Sequence, residues 1–131
     1  MEVVENFLNL RRSGKGEEAY EMIAPGASFG CPWGGIHQGS RIHDILAEEG
    51  SFAYKGYLDP VPIEKIAEGT YQRKFKWDRG VSEQGNQGIS WFRSLPTWRE
   101  LYFVSDDKIQ LVTADKLPRV RSIKYYLGFE V

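Results

Sequence analysis

A change of hydrophobic period near residue 60 constrains this chain more than any other feature. Before it, Val3, Val4, Phe7, Leu8 and Arg11 fall at three- and four-residue steps, the stripe of an amphipathic helix. After it the period is two. Thr70 to Trp77 alternates, with Tyr71, Arg73, Phe75 and Trp77 on one face and Thr70, Gln72, Lys74 and Lys76 on the other. Helices first and a meander of strands afterwards is an α+β order, not the interleaved order of a parallel α/β sheet.

The punctuation fills in the rest. Ser13-Gly14-Lys15-Gly16 ends the first helix. Glu17 and Glu18 sit where a second helix favours negative charge, Ala19, Met22 and Ile23 give it an apolar face, and Pro25-Gly26 stops it. Ala27 to Pro32 reads as a short strand and Trp33-Gly34-Gly35 as a turn. Ser40 is the predicted N-cap of a third helix that buries Ile42, Ile45 and Leu46 and ends at Gly50. Asp59-Pro60 and Pro62 make 51–62 a loop or the approach to a strand. Further strands are predicted over Ile63–Glu68, Thr70–Trp77, Ile89–Leu95, Trp98–Val104 and Ile109–Ala114, with a tight turn at Ser105-Asp106-Asp107-Lys108 and a Gly-rich connection over 78–88. The expected architecture is three N-terminal helices on a strongly curved, mostly antiparallel sheet of about six strands.

Past Pro118 the alternation resumes. Ile123, Tyr125, Leu127, Phe129 and Val131 share one face, which predicts an extra C-terminal strand. Such a segment docks on its own sheet edge, crosses a two-fold onto a partner subunit, or lies over the mouth of a pocket. The chain thus reads as one domain over 1–131, with 118–131 as an extension.

Composition narrows the function classes. A chain of 131 residues buries enough surface for a core without metal or disulfide staples. The net charge of −1 supplies no field for nucleic acid or an anionic membrane, and neither partner is expected. Cys31 is the only cysteine, so an internal disulfide and a cysteine-rich zinc site are excluded. An acidic start and the lack of a long apolar run lead to the expectation of a cytoplasmic protein. Aromatic residues make up 14%, more than a core of this size needs, which points to an aromatic-lined pocket.

Three local patterns carry a resemblance. Ile23-Ala24-Pro25-Gly26-Ala27-Ser28-Phe29 looks like the helix-to-first-strand step of the nuclear transport factor 2-like superfamily. Ile36-His37-Gln38-Gly39-Ser40-Arg41-Ile42 looks like its turn into the third helix, and Val104-Ser105-Asp106-Asp107-Lys108-Ile109 like its final hairpin, usually Asp-Gly-Lys-Ile. Their order and spacing resemble that superfamily over residues 1–117. The resemblance implies a cone around a pocket; it does not imply one function, because the superfamily includes ketosteroid isomerases, scytalone dehydratases, polyketide cyclases and non-enzymes. In the isomerase branch a Tyr and a protonated Asp form an oxyanion hole and a second Asp is the base. The matching positions here hold Phe7, Arg99 and Cys31, so ketosteroid isomerisation is not expected.

Other chemistry is thin. Cys31 is a nucleophile only if His37 or His43 lowers its pKa; otherwise it is a small buried hydrophobe. His43 and Asp44 are candidates for acid–base work, though adjacent helical residues diverge by about 100°. His37, His43 and Asp44 have no metal-ligand spacing, and no metal or cofactor is expected. Gly14-Lys15-Gly16 is too short for a phosphate loop. Arg73-Lys74-Phe75-Lys76-Trp77 mixes bases and aromatics as single-strand binders do, but without a positive net charge. Arg73 is the sharpest feature, a cation on an otherwise aromatic strand face. Either that face lines the pocket, with Glu100 or an anionic ligand group as partner, or it turns outward at a subunit contact. The predicted pocket combines Trp33, Phe75, Trp77, Trp91 and Tyr102, with Arg73 or Glu100 as its polar group. The expected function is binding of a small apolar or aromatic ligand, in a cofactor-independent lyase or isomerase or in a binding protein, with a homodimer as the expected assembly. The alternative is a non-catalytic dimeric interaction module.

Overall fold

The computed structural model describes residues 1–32, 35–51, 57–77 and 96–117. Helix α1 spans Glu2–Arg12, with Glu2 and Glu5 in its first turn and Arg11 and Arg12 in its last, the charge order that complements the helix dipole. It buries Val4, Phe7, Leu8 and also Arg11. Helix α2 is the short Gly16–Glu21, and α3 runs Ser40–Ser51. Gly16 is required where α2 meets α3, because a Cβ there would lie 2.7 Å from the Leu46 carbonyl oxygen.

The strands are β1 (Ile23–Gly30), β2 (Ile36–Gln38), β3 (Ile63–Ala67), β4 (Thr70–Lys76), β5 (Thr97–Ser105) and β6 (Lys108–Lys116). They form one curved, unclosed sheet in the order β2-β1-β6-β5-β4-β3. Every neighbouring pair is antiparallel except β1 and β6, which run parallel. The fold is therefore α+β with three helices and a mixed six-strand sheet among the described residues.

Two boundaries differ from the sequence reading. Ile23 belongs to β1 and not to the second helix, although Pro25-Gly26 follows it. The β1–β6 register shifts between Ile23 and Ser28, and Gly26 has φ +79, so the break is absorbed as an irregularity inside the strand. Ile36–Gln38 is a strand paired with Ser28–Gly30 and not a turn. Three residues are too few to show a period of two. The predicted strand 89–95 and the extension 118–131 with its extra strand lie outside the described residues. The β5–β6 hairpin turns on Asp106 (φ 54) and Asp107 (φ 60), the two left-handed residues of a type I′ turn.

The helices cover one face of the sheet. Val4, Phe7 and Leu8 of α1 and Ile42, Ile45 and Leu46 of α3 pack with Phe29, Tyr102, Ile109 and Val112 in the main core. A second apolar cluster, Tyr57, Phe75 and Trp77, lies beside it. Charged side chains are buried too, which an apolar core alone would not require.

Candidate ligand-binding site

Strands β4 and β5 build the site by register. Arg73 stands directly opposite Glu100, Tyr71 opposite Tyr102 and Phe75 opposite Trp98. On β4 the buried residues are Tyr71, Arg73 and Phe75, while Lys74 and Lys76 are exposed; on β5 Glu100 and Tyr102 are buried. Period two thus aims one strand's cation and the other strand's anion at the helix-covered side.

Arg11 reaches the same place from α1. It lies four residues after Phe7 on the helix stripe, so the period of 3.6 that buries Phe7 buries Arg11 as well. Its Nη1 donates to the Tyr102 hydroxyl at 3.0 Å and its Nη2 to the Tyr57 hydroxyl at 2.9 Å. Tyr57 in turn donates to Glu100 Oε2 at 3.3 Å, and Tyr102 donates to Glu100 Oε1 in a short hydrogen bond. Each phenol therefore accepts from Arg11 and donates to Glu100, which fixes the direction of both hydroxyls. Arg73 Nε donates to Glu100 Oε1 at 2.6 Å, and Arg11 Nη1 lies 3.9 Å from the same oxygen.

Aromatic rings wall in the two guanidinium groups. The Arg73 guanidinium carbon is 4.3 Å from the Phe75 ring centre and 5.5 Å from that of Tyr57. Arg11 lies over Phe7, Phe29 and Tyr57 at 5.2–5.4 Å. Such contacts favour the cations in a place water does not reach. They leave one demand unmet. Arg73 Nη1 and Nη2 are buried and have no hydrogen-bond acceptor among the described residues.

The protonation states follow. Burial raises the Glu100 pKa, but Arg73, Arg11 and the hydrogen bonds from Tyr102 and Arg73 outweigh it and hold the carboxyl below its ordinary value. Glu100 is a buried anion. Burial and the Glu100 charge push Tyr102 well above the ordinary phenol, so it stays protonated. Burial pulls the Arg73 pKa down, but Glu100 and Tyr102 more than offset this, and the net shift is upward.

The sequence-predicted residues divide into three groups. Arg73, Phe75, Trp77, Glu100 and Tyr102 are all buried and lie together; Trp98 donates from Nε1 to the Trp77 carbonyl at 3.2 Å. Trp33 and Trp91 lie outside the described residues. The catalytic candidates Cys31, His43 and Asp44 do not join the cluster. Cys31 is packed in the main core, and His43 is a half-exposed α3 residue edge-on to Tyr20 at 5.3 Å. His43 Nδ1 is 3.9 Å from Asp44 Oδ1, so the pair does meet, on the exposed helix surface. Arg99 points to the opposite side of the sheet from Glu100 and pairs with Asp115 at 3.0 Å. Among the described residues no group of three or more His, Cys, Asp or Glu is placed to hold a metal.

Two members of the cluster were missing from the sequence reading. Arg11 was legible as a cation on an apolar helical stripe. Tyr57 was not, because it sits in the 51–62 stretch whose prolines erase any period.

No protein-family model and no curated protein matches the sequence. Solved structures do match in fold. A nuclear transport factor 2-like protein of unknown function from Cytophaga hutchinsonii superposes with a TM-score of 0.60 at 13% identity, over 90% of this chain and 89% of that one. A Sinorhizobium meliloti protein provisionally described as a polyketide cyclase gives 0.63 at 15% identity, over 88% and 94%. A de novo designed protein with a curved β-sheet gives 0.55 at 14% identity, over 96% and 91%. This chain has the nuclear transport factor 2-like fold. No helix among the described residues is long and apolar enough to cross a membrane.

Proposed function

We propose that this chain is a single-domain, small-molecule-binding cone protein that takes a mostly apolar or aromatic ligand against the Arg11–Tyr57–Arg73–Glu100–Tyr102 cluster. One observation carries the reading: five polar side chains from α1, the 57–62 approach, β4 and β5 converge in the interior, and two of their donor atoms have no acceptor among the described residues. Folding alone does not call for this, since burying charge is costly and apolar replacements of similar volume often serve stability better. The likeness to a protein provisionally described as a polyketide cyclase agrees with the reading by analogy of fold only. Binding is better supported than catalysis. Glu100 is held as an anion with a lowered pKa, which makes it a weak base at neutral pH. Any turnover would be cofactor-independent acid–base chemistry of lyase or isomerase type, with Tyr57 or Tyr102 as the donor. A cytoplasmic setting fits the single cysteine.

Native mass spectrometry of the purified protein, followed by thermal-shift titration with apolar aromatic probes, tests the reading. A retained small molecule or saturable stabilisation is expected; the absence of both removes it. A homodimer or interaction module is the second reading. It is favoured by Ile36 and Ile66, which are exposed on the two edge strands, and the same mass spectrum counts the subunits.

A further inference from the structure

Among the described residues, Arg73 is the buried side chain with two donor atoms lacking a partner. It is 1% exposed, held by Glu100 through Nε, and its guanidinium lies over the ring of Phe75 at 4.3 Å and that of Tyr57 at 5.5 Å. The two nitrogens left over, Nη1 and Nη2, form the end-on edge of the guanidinium fork. A buried ionic donor without an acceptor is costly, and native proteins rarely keep one. Glu100 does not supply the acceptor, because neither Nη makes a hydrogen bond to it. Its Oε1 is already taken by Arg73 Nε and Tyr102, and its Oε2 by Tyr57. The Phe75 and Tyr57 rings beside Arg73 attract the cation but do not accept its N–H groups in line.

We propose that the ligand is an aromatic monocarboxylate whose two oxygens pair with Arg73 Nη1 and Nη2. This rests on the reading of the chain as a ligand-binding cone and names the class of ligand that cone takes. The end-on edge of a guanidinium offers two parallel N–H groups at the spacing of a carboxylate, so one bidentate pair meets both orphan donors. A single carboxylate suits the charges present. Among the described residues Glu100 is the one buried carboxylate and it serves two buried guanidinium groups, so one further anion is accommodated and a dianion is not. The ligand body follows from the walls. Tyr57, Phe75, Trp77 and Trp98 form a chain of edge-to-face rings with centres 5.5–6.1 Å apart, a surface that suits a flat ring system. Arg73 is here a binding residue, with Glu100 and its two phenols as the groups that hold it in place.

The test compares 2-naphthoate, 2-naphthamide and 2-methylnaphthalene by isothermal titration against the wild-type protein and Arg73→Met. The expected result is that wild-type protein binds naphthoate about 10- to 100-fold more tightly than naphthamide, the range for a charge-assisted pair against a neutral one. In Arg73→Met that preference falls to near unity while the neutral probes still bind. Equal affinity for naphthoate and naphthamide in the wild type overturns the carboxylate inference and leaves the ligand-binding reading standing. No binding of any of the three probes overturns both. The wild-type comparison decides the matter even if Arg73→Met folds poorly, and Arg73→Lys adds a check. Lysine keeps the charge but loses the fork, so it is expected to retain only part of the preference; full retention would refute the bidentate geometry.

Discussion

Replacing Glu100 by Gln and Arg73 by Met should have very different costs, although the two side chains touch. Glu100 accepts from Arg73 Nε at 2.6 Å and from both phenols, with Arg11 Nη1 at 3.9 Å. A Gln in its place removes the buried counter-charge of two guanidinium groups and sets an amide N–H₂ against donors. Breaking a buried ion pair from one side costs about 3–5 kcal/mol. In a domain of this size that lowers the melting temperature by roughly 10–20 °C. Arg73→Met loses one charged hydrogen bond, worth about 1.5–3 kcal/mol, and relieves two unpaired Nη donors at about 1–3 kcal/mol each. Met fills much of the same volume. Glu100 keeps Arg11, bridged through Tyr57 and Tyr102. Those terms put the net change between about 1 kcal/mol destabilising and about 4.5 kcal/mol stabilising. Urea unfolding of the wild type and both variants measures this. A Glu100→Gln cost under about 1 kcal/mol, or an Arg73→Met cost equal to it, would refute the idea that Arg73 is present for a ligand and not for the fold.

Three more outcomes are expected. The lowered Glu100 pKa means its contribution to stability is present above the unfolded carboxyl value near 4.5 and is lost as pH falls through the folded value; the raised Tyr102 pKa contributes below the unfolded value of 10.0 and is lost as pH rises through the folded one. Melting temperature against pH should be flat between these limits and fall outside them, and a Glu100→Gln protein with an unchanged acid limb would contradict this. Asp107→Gly should stabilise by about 0.5 kcal/mol, because glycine relieves a left-handed residue at φ 60 but costs chain entropy, whereas Gly16→Ala should destabilise by about 1–3 kcal/mol through the 2.7 Å approach to Leu46; chemical denaturation reads both. A Δ5-3-ketosteroid should not be isomerised efficiently: Phe7 donates nothing and Arg99 is a permanent cation paired with Asp115, and each missing oxyanion donor costs about 100- to 1,000-fold, so rapid turnover in a spectrophotometric assay would overturn the assignment of these groups.

The alternation over Thr70–Trp77 and the stripe through Phe7 and Arg11 were local properties, written in residues one to four positions apart. They determined the α+β order, the strand faces, and the oddity of a cation at Arg73. Period two also says that Arg73 shares a face with Phe75, whichever way that face turns. It cannot say which way. That was decided by α1 and α3 covering one side of the sheet, a matter of burying their apolar stripes and not of any property of β4. The same holds for partners. Arg73 meets Glu100 across 27 residues, Arg11 meets Tyr57 across 46 and Tyr102 across 91. Those contacts depend on the β4–β5 register and on where α1 lies on the sheet, which only the closed chain fixes. The parallel pairing of β1 with β6 is of the same kind, since no residue in either strand specifies a neighbour at that distance. A sequence sets which side chains share a face through the repeat of its own backbone. Which faces meet, and so which charges are left with an open coordination edge in the interior, is set by the packing that buries the most apolar surface.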